Sequence, residues 1–357
     1  MIHVGLIGAG NISVTHARAV AEIPGAAVAA VYSRTRANAE GLAAEHQAKA
    51  FDALDAFLEY RPLDLVIVGS PSGVHADHAI AAARRGLHVL VEKPIDVTSA
   101  RADAMVAEAS RAGVTLGVIF QDRFKPDIVR LKSLVDEGRL GTPILATASV
   151  KWYRPPSYYA GSDWRGTRAL DGGGALMNQG VHTVDLLLWL FGPVRRVSGK
   201  VATQLHKIGV EDTAVSILEF ANGAIGTIEA TTAAYPGYAR RVELTGSNGT
   251  ATLEGDTLVS VDVCDDSGLS RRSASAFARS VDAALRRDKP DNAASPVVSD
   301  VSAHRAVIED FMRAIQNGGR PSCDGREGRR SVDVIEAIYQ ASRTGAPVDV
   351  AGCEGRP

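Results

Sequence analysis

The sequence predicts a two-part α/β chain. Residues 1–122 form a doubly wound parallel sheet, and residues 123–357 form an α+β domain on a large, mostly antiparallel, open-faced sheet. Up to about residue 121, short apolar runs alternate with helical patterns, which calls for a parallel sheet with helices on both faces. Further along, the runs lengthen and several alternate apolar with polar positions. They are separated by tight-turn signals such as Ala221-Asn222-Gly223 and Gly246-Ser247-Asn248-Gly249, as in antiparallel pairing. A length of 357 residues suits two domains rather than one.

The first strand, 2–7, runs into Gly8-Ala9-Gly10 and then a helical pattern over 11–22 that opens with Asn11 and Ile12. A dinucleotide pyrophosphate sits against backbone N–H groups at a helix N-terminus, and side chains at Gly8 and Gly10 would block its approach. Ser13 stands at the third position of this Rossmann fingerprint, small enough to let the helix pack close to its strand. The second strand, 26–32, ends in Tyr32-Ser33-Arg34-Thr35-Arg36 and leads to a helix over 35–46. An NAD-selective site places an acid here to bond the ribose 2′-hydroxyl. Ser33 and Arg34 suit a 2′-phosphate instead, so NADP is favoured over NAD. Strand 63–69 carries Ser70, Pro71 and His75 just beyond its end, where they are expected to line the dinucleotide crevice, and a helix follows over 73–85. Strand 87–91 ends in Glu92-Lys93-Pro94 ahead of a helix over 99–112, and strand 115–120 ends at Gln121. Glu92 and Gln121 are expected at the ribose or nicotinamide. Lys93 lies on the sheet edge where such folds bind ligands. The following proline biases it toward extended backbone, and an ammonium there can stabilise a developing alkoxide.

Strands are then expected at 143–153, 194–203, 212–220, 223–232, 240–246 and 249–263. The sheet they form would cover one face with its own helices and leave the other for a second copy, giving a homodimer or homotetramer. Between them, Gly172–Gly174 allow a close backbone approach before an apolar helix over 175–191. Asn178, His182 and Asp185 fall at i, i+4 and i+7 on that helix and share one face. Arg123, Lys151, Tyr153, Trp164 and Arg165 are candidates for lining a substrate pocket, where aromatic faces suit C–H surfaces and Arg suits a carboxylate or phosphate. Trp152, Trp189, His16 and His304 are expected to be structural. Residues 266–297 are rich in Ser, Ala, Arg and Asp and read as a long excursion, mobile or lying over a partner subunit. Helices return at 300–316 and 328–343.

Composition bounds the partners. With 45% apolar and 22% charged residues and a net charge of −2, nothing favours nucleic acid or a membrane surface. No apolar run approaches the ~20 residues of a membrane span. Cys264, Cys323 and Cys353 lie far apart without metal-ligand spacing, so no metal is expected. The chain enters a core strand within two residues, leaving no room for a signal peptide, and a cytoplasmic setting is expected.

Gly8-Ala9-Gly10, Ser70-Pro71-Ser72, His75, Glu92-Lys93-Pro94 and the run Asp171-Gly172-Gly173-Gly174-Ala175-Leu176-Met177-Asn178-Gln179-Gly180-Val181-His182 with Asp185 together resemble the Gfo/Idh/MocA family (glucose–fructose oxidoreductase, inositol dehydrogenase, MocA) over nearly the whole chain. The resemblance implies hydride transfer between nicotinamide and a secondary alcohol or ketone carbon of a sugar, polyol, sugar acid or nucleotide sugar. Lys93 would polarise the oxygen and His182 would be the general acid/base, with Asn178 and Asp185 beside it; Lys93, Asn178 and His182 would also touch substrate. Many relatives carry Asp where this chain has Asn178, which can orient a hydroxyl but cannot share a proton. Leu176-Met177-Asn178-Gln179 with Trp164-Arg165-Gly166-Thr167 resembles the family's nucleotide-sugar branch. The same scaffold also serves NAD-retaining glycosidases and epimerases, and non-enzymatic regulators that sense a dinucleotide.

Overall fold

A computed structural model describes residues 1–264, 270–272 and 300–352. These fall into two compact units. The first holds residues 1–121, 169–172 and 300–332, and the second holds 122–168, 173–264, 270–272 and 333–352.

The first unit starts with β1 (Ile2–Ile7), α1 (Asn11–Ala21), β2 (Ala26–Tyr32), α2 (Arg36–Glu45), β3 (Lys49–Phe51), α3 (Leu54–Glu59), β4 (Leu65–Val68), α4 (His75–Arg84), β5 (His88–Glu92), α5 (Ser99–Ala112) and β6 (Leu116–Ile119). All six strands are parallel, in the order β3-β2-β1-β4-β5-β6, the doubly wound arrangement expected of a Rossmann domain. The topological switch lies between β1 and β4. β4 and β6 are buried at every position, which is why they read as unbroken apolar runs rather than alternating ones. β3 and α3 have no counterpart in the sequence reading. Three residues in β3 and six in α3 are too few to show a period.

The second unit contains α6 (Pro126–Asp136), β7 (Pro143–Lys151), α7 (Pro156–Ala160), a π-helical turn at Ala175–Gly180 continuing into α8 (Val181–Phe191), then β8 (Val194–Ala202), β9 (Thr213–Phe220), β10 (Ile225–Thr231), β11 (Arg241–Gly246), β12 (Gly249–Glu254), β13 (Thr257–Cys264) and β14 (Ser270–Arg272). With a short β15 (Val348–Asp349), these strands form a nine-stranded sheet in the order β14-β13-β12-β11-β7-β10-β9-β8-β15. Every pairing is antiparallel except β10 with β7. The expected strand 249–263 is two strands, folded back at Gly255 and Asp256. Alternation is clean in the centre of the sheet. Ala146, Ala148 and Val150 face inward with Leu218 and Ile228, while Val215, Ile217 and Ile225 are exposed on the opposite face. The excursion expected at 266–297 lies outside the described residues except for β14.

From residue 300 the chain returns to the first unit through α9 (Ser302–Asn317), followed by α10 (Gly325–Thr344), whose residues divide between the units at 332 and 333. The sequence reading assigned all of 123–357 to one domain. The difference arises because α9 buries His304, Val307, Ile308, Phe311 and Met312 while packing on α1, β5 and β6. No helix among the described residues is long and apolar enough to cross a membrane.

Candidate active site

In the first unit, the turn after β1 has the form a pyrophosphate requires. Gly8 has φ +106°, and a Cβ there would lie 2.8 Å from the Gly69 carbonyl oxygen. Gly10 differs: a Cβ would meet nothing within 4 Å, so its lack of a side chain answers to no packing need inside the protein. α1 starts at Asn11 with no side-chain cap and no acid in its first turn, leaving its N-terminal N–H groups and positive dipole end to an anion. Ser13 is buried, and its Oγ lies against Gly69. These residues fit a dinucleotide. At the end of β2, the Ser33 hydroxyl accepts from Thr35 N at 3.2 Å. Arg36 pairs with Glu40 at 2.8 Å and Asp52 at 3.4 Å, whereas Arg34 is exposed and has no ion pair among the described residues.

Ser70 and Pro71 are half-buried just beyond β4. His78, which sequence reasoning missed, has Nδ1 2.9 Å from the Ser70 hydroxyl, and burial, aided by the nearby His75 and Arg34, pushes its pKa down to about 4. His75 is buried between the carbonyls of Ser70 at 2.8 Å and Pro94 at 2.9 Å. Its imidazole therefore braces the loops after β4 and β5 rather than opening onto a crevice. Burial also lowers its pKa.

Glu92 likewise turns inward. One oxygen meets His16 Nε2 at 2.9 Å and the other accepts from the Lys93 backbone N–H at 3.1 Å. Burial alone would raise its pKa, but the His16 hydrogen bond and charge, with Lys93 and His304, hold it at about 2. His16, Glu92 and His304 also form the one described group with ligand-type atoms all within 4.8 Å of one another, and a metal there would have to displace the His16–Glu92 bond. Lys93 is half-buried at the C-terminal end of β5, an inner strand between β4 and β6, and its bond to Pro94 is cis. Gln121 Oε1 is buried without a hydrogen-bond partner among the described residues.

In the second unit the glycine run is fixed by a group the sequence reading did not single out. Buried Glu211 accepts from Gly174 N at 3.0 Å, Leu176 N at 2.9 Å and the Tyr339 hydroxyl at 2.9 Å, capping the π-helical turn. A Cβ at Gly174 would lie 1.9 Å from the Glu211 carbonyl oxygen, so the backbones touch only because the side chain is missing. Burial raises the Glu211 carboxyl despite these three donors. The expected regular helix over 175–191 thus starts with a wider turn, a form often found at functional sites. From 173 to 188 every residue is buried except Asn178 and His182.

Asp185, expected on the same face, is buried in a two-point pair with Arg123, Nε–Oδ2 2.8 Å and Nη2–Oδ1 2.6 Å. Arg123 also lies 5.5 Å from the Trp189 ring centre. Each satisfies the other, so neither has the open position expected of it. Lys151 is also displaced from its expected role: it lies on the exposed face of the sheet, paired with Glu229 at 2.7 Å, while α8 packs on the other face. Tyr153 bridges to Ala233 and meets Tyr235 edge-on.

Arg154 and Arg165 gather on one ring, with guanidinium carbons 5.3 and 4.4 Å from the centre of Tyr158. Trp164 flanks Arg165 at 5.5 Å. Gln179 ties this cluster to the π-helical turn, accepting from Arg154 at 2.7 Å and donating to the Tyr158 hydroxyl at 3.1 Å and Asn178 Oδ1 at 2.8 Å. Arg165 Nε is buried with no acceptor among the described residues, and burial lowers the Arg154 pKa. Asp122, also missed by the sequence reading, is buried with Oδ2 3.8 Å from His182 Nδ1.

Comparison with known proteins matches both units. Residues 2–120 match an oxidoreductase family model with an NAD-binding Rossmann fold, and residues 128–252 match the GFO/IDH/MocA C-terminal domain. The myo-inositol 2-dehydrogenase of Thermotoga maritima is 30% identical over 277 residues, 75% of this chain and 79% of its own. The D-xylose 1-dehydrogenase (NADP(+)) 2 of Haloferax volcanii is 28% identical over 347 residues, 97% of this chain and 99% of its own. Among solved structures, the WlbA dehydrogenase of Bordetella pertussis in complex with NADH and UDP-GlcNAcA aligns with a TM-score of 0.84 at 29% identity, covering 98% of this chain and 97% of that one. The chain belongs to the Gfo/Idh/MocA family of NAD(P)-dependent oxidoreductases.

Proposed function

We propose that this protein moves a hydride between nicotinamide and a secondary alcohol carbon of a sugar bearing an acidic substituent. In this reading Lys93 polarises the oxygen and His182 is the general acid/base. The observation that carries it is the pattern of exposure across 173–188, where Asn178 and His182 alone escape burial. Imidazole is the side chain whose ordinary titration falls near working pH, which suits it to proton exchange, and Asn178 one turn before His182 can orient a hydroxyl. Bound nicotinamide supplies the hydride acceptor in oxidation and the donor in reduction. His182 takes the hydroxyl proton as the C–H bond breaks and returns it in the reverse direction. The Lys93 ammonium donates to the same oxygen, stabilising negative charge that grows only in the transition state.

Arg154 and Arg165, collected on Tyr158 and linked through Gln179 to Asn178, favour a substrate carrying a carboxylate or phosphate. Ser33 and Arg34, with no acid at the end of β2, favour NADP over NAD. The exposed sheet face, with Val215 at 52%, Ile217 at 58% and Ile225 at 56%, supports self-association through that face.

The test is a panel of polyols, aldoses, sugar acids and nucleotide sugars followed by NAD(P)H absorbance, with native mass measurement for co-purified dinucleotide. Acidic sugars are expected to turn over best. Lys93→Met should lower turnover by about a hundredfold while dinucleotide binding survives, and His182→Ala should remove the acid limb of the pH–rate profile. Wild-type turnover in the first variant, or an unchanged profile in the second, would remove that residue from the mechanism. Tightly retained cofactor with no net turnover would point to internal redox cycling instead.

A further inference from the structure

Asp122, absent from any reading of the sequence, sits in an unusual setting. Its Oδ1 lies 2.7 Å from Lys125 Nζ, and its Oδ2 pairs with Arg240 Nη1. The same two cations also hold Asp256, Lys125 at 2.7 Å and Arg240 through Nη2. Four alternating charges therefore close into a ring joining the turn at 121–124, the start of α6, the residue before β11, and the β12–β13 turn. Asp122 and Arg240 are its buried corner, while Lys125 and Asp256 lie toward solvent at 21% and 35% side-chain exposure.

The buried corner meets His182, with Asp122 Oδ2 3.8 Å from Nδ1. Other ionisable groups on elements packed against α8 are directed elsewhere. Lys132 pairs with Asp136 and lies over Trp189, and Asp127 accepts from Leu258 N. Arg130 is exposed. Arg241 and Glu243 pair with each other, Lys151 pairs with Glu229, and on α8 itself Asp185 is held by Arg123. Asp122 thus faces the imidazole on its Nδ1 side, with the Arg240 and Lys125 charges behind it.

We propose that Asp122 is the positioning residue for His182. Pinned by the charge ring, it keeps the imidazole proton on Nδ1 and leaves Nε2 to exchange a proton with substrate. The carboxylate that Asn178 does not supply from the preceding turn comes instead from a different element. A carboxylate oxygen has two lone pairs, so Oδ2 can serve Arg240 and His182 together. At 3.8 Å the pair is longer than a hydrogen bond, and such contacts commonly tighten when substrate binds. The two cations keep Asp122 ionised, its carboxyl held well below the usual range by Arg240, His182 and Lys125 against the cost of burial. They also offset part of its pull on the imidazole.

This inference rests on the reading of His182 as the acid/base group, and the experiment separates the two. Full-length protein with 15N-labelled histidine is titrated by NMR, the His182 signals being identified by their loss in His182→Gln. The wild type is expected to show the Nδ1-protonated tautomer. Asp122→Asn should mix the tautomers, lower the His182 midpoint, and reduce kcat at least tenfold with little change in KM. Asp122→Glu should recover part of both. Asp256→Asn opens the same ring at its far corner and should keep the wild-type tautomer. Lys125→Met should move the midpoint up, the reverse of Asp122→Asn, and it tests the proposal even where loss of the buried carboxylate prevents folding. An unmoved His182 tautomer in Asp122→Asn, the same change in Asp256→Asn, or an unmoved or lowered midpoint in Lys125→Met would overturn the proposal. A shifted tautomer with an unaltered pH–rate profile would uphold Asp122 as the positioning residue and remove His182 from catalysis.

Discussion

His16→Ala is the most informative perturbation of the first unit, because it leaves a buried carboxylate without its partner. In the folded protein Glu92 ionises at about 2 against an ordinary 4.5, even though burial pushes the other way. That difference corresponds to roughly 3 kcal/mol favouring the ionised, His16-paired state. Breaking a buried pair from one side costs about 3–5 kcal/mol, in agreement. For a domain of this size each kcal/mol moves the midpoint of thermal unfolding by ~2–4 °C, so His16→Ala should melt about 10 °C lower at pH 7.

The pH dependence has a definite sign. A carboxyl whose pKa is lowered by folding contributes stability above its unfolded value, and that contribution drains away as pH falls from about 4.5 toward 2. In His16→Ala burial dominates and the carboxyl takes up its proton at higher pH, so the gap between wild type and variant should narrow on acidification. Circular dichroism melts at pH 7 and pH 4 measure both effects. A variant melting within 2 °C of wild type at pH 7, or a gap that widens in acid, would refute the assignment of this energy to the His16–Glu92 pair.

Gly10→Val should fold with wild-type stability and fail to bind dinucleotide, whereas Gly8→Val should lose stability as well, since only Gly8 has positive φ and a carbonyl within 2.8 Å of a Cβ; melting with and without cofactor separates them. Glu211→Ala should cost about 3 kcal/mol, one for each of the hydrogen bonds it accepts. Glu211→Gln keeps an oxygen there and should recover most of this in urea titration. Arg34→Ala should raise the Michaelis constant for NADP about tenfold and leave that for NAD nearly unchanged, through loss of a charge-assisted contact to phosphate; equal effects on both cofactors would count against the 2′-phosphate reading.

Local signals made the parallel sheet legible. β1, β2, β4, β5 and β6 are apolar runs at regular spacing, and the glycines after β1 fix both a turn and a ligand approach. His182 and Lys93 were singled out by motif. The partners of these residues were not legible. Asp122 lies 60 residues from His182 in the chain, and Glu211 reaches back to Gly174, so no window of sequence contains both members of either pair. Asp185 and Arg123 were misread for the same reason. Each is a plausible site group alone, and only their two-point pairing shows them to be spoken for. The π-helical turn was hidden because a helix widened over 175–180 keeps the composition of an ordinary one.

The return of α9 to the first unit bears on how the molecule is made. A fragment ending near residue 122 would possess every strand of the parallel sheet yet lack the helix that covers β5 and β6, leaving the cavity meant for Phe311 open to water. During synthesis residues 1–121 therefore wait, partly bare, until residues 300–332 leave the ribosome, with the other unit's strands emerging in between. Recombinant truncation at the apparent boundary should yield aggregates, and adding residues 300–332 as a separate peptide should restore soluble material.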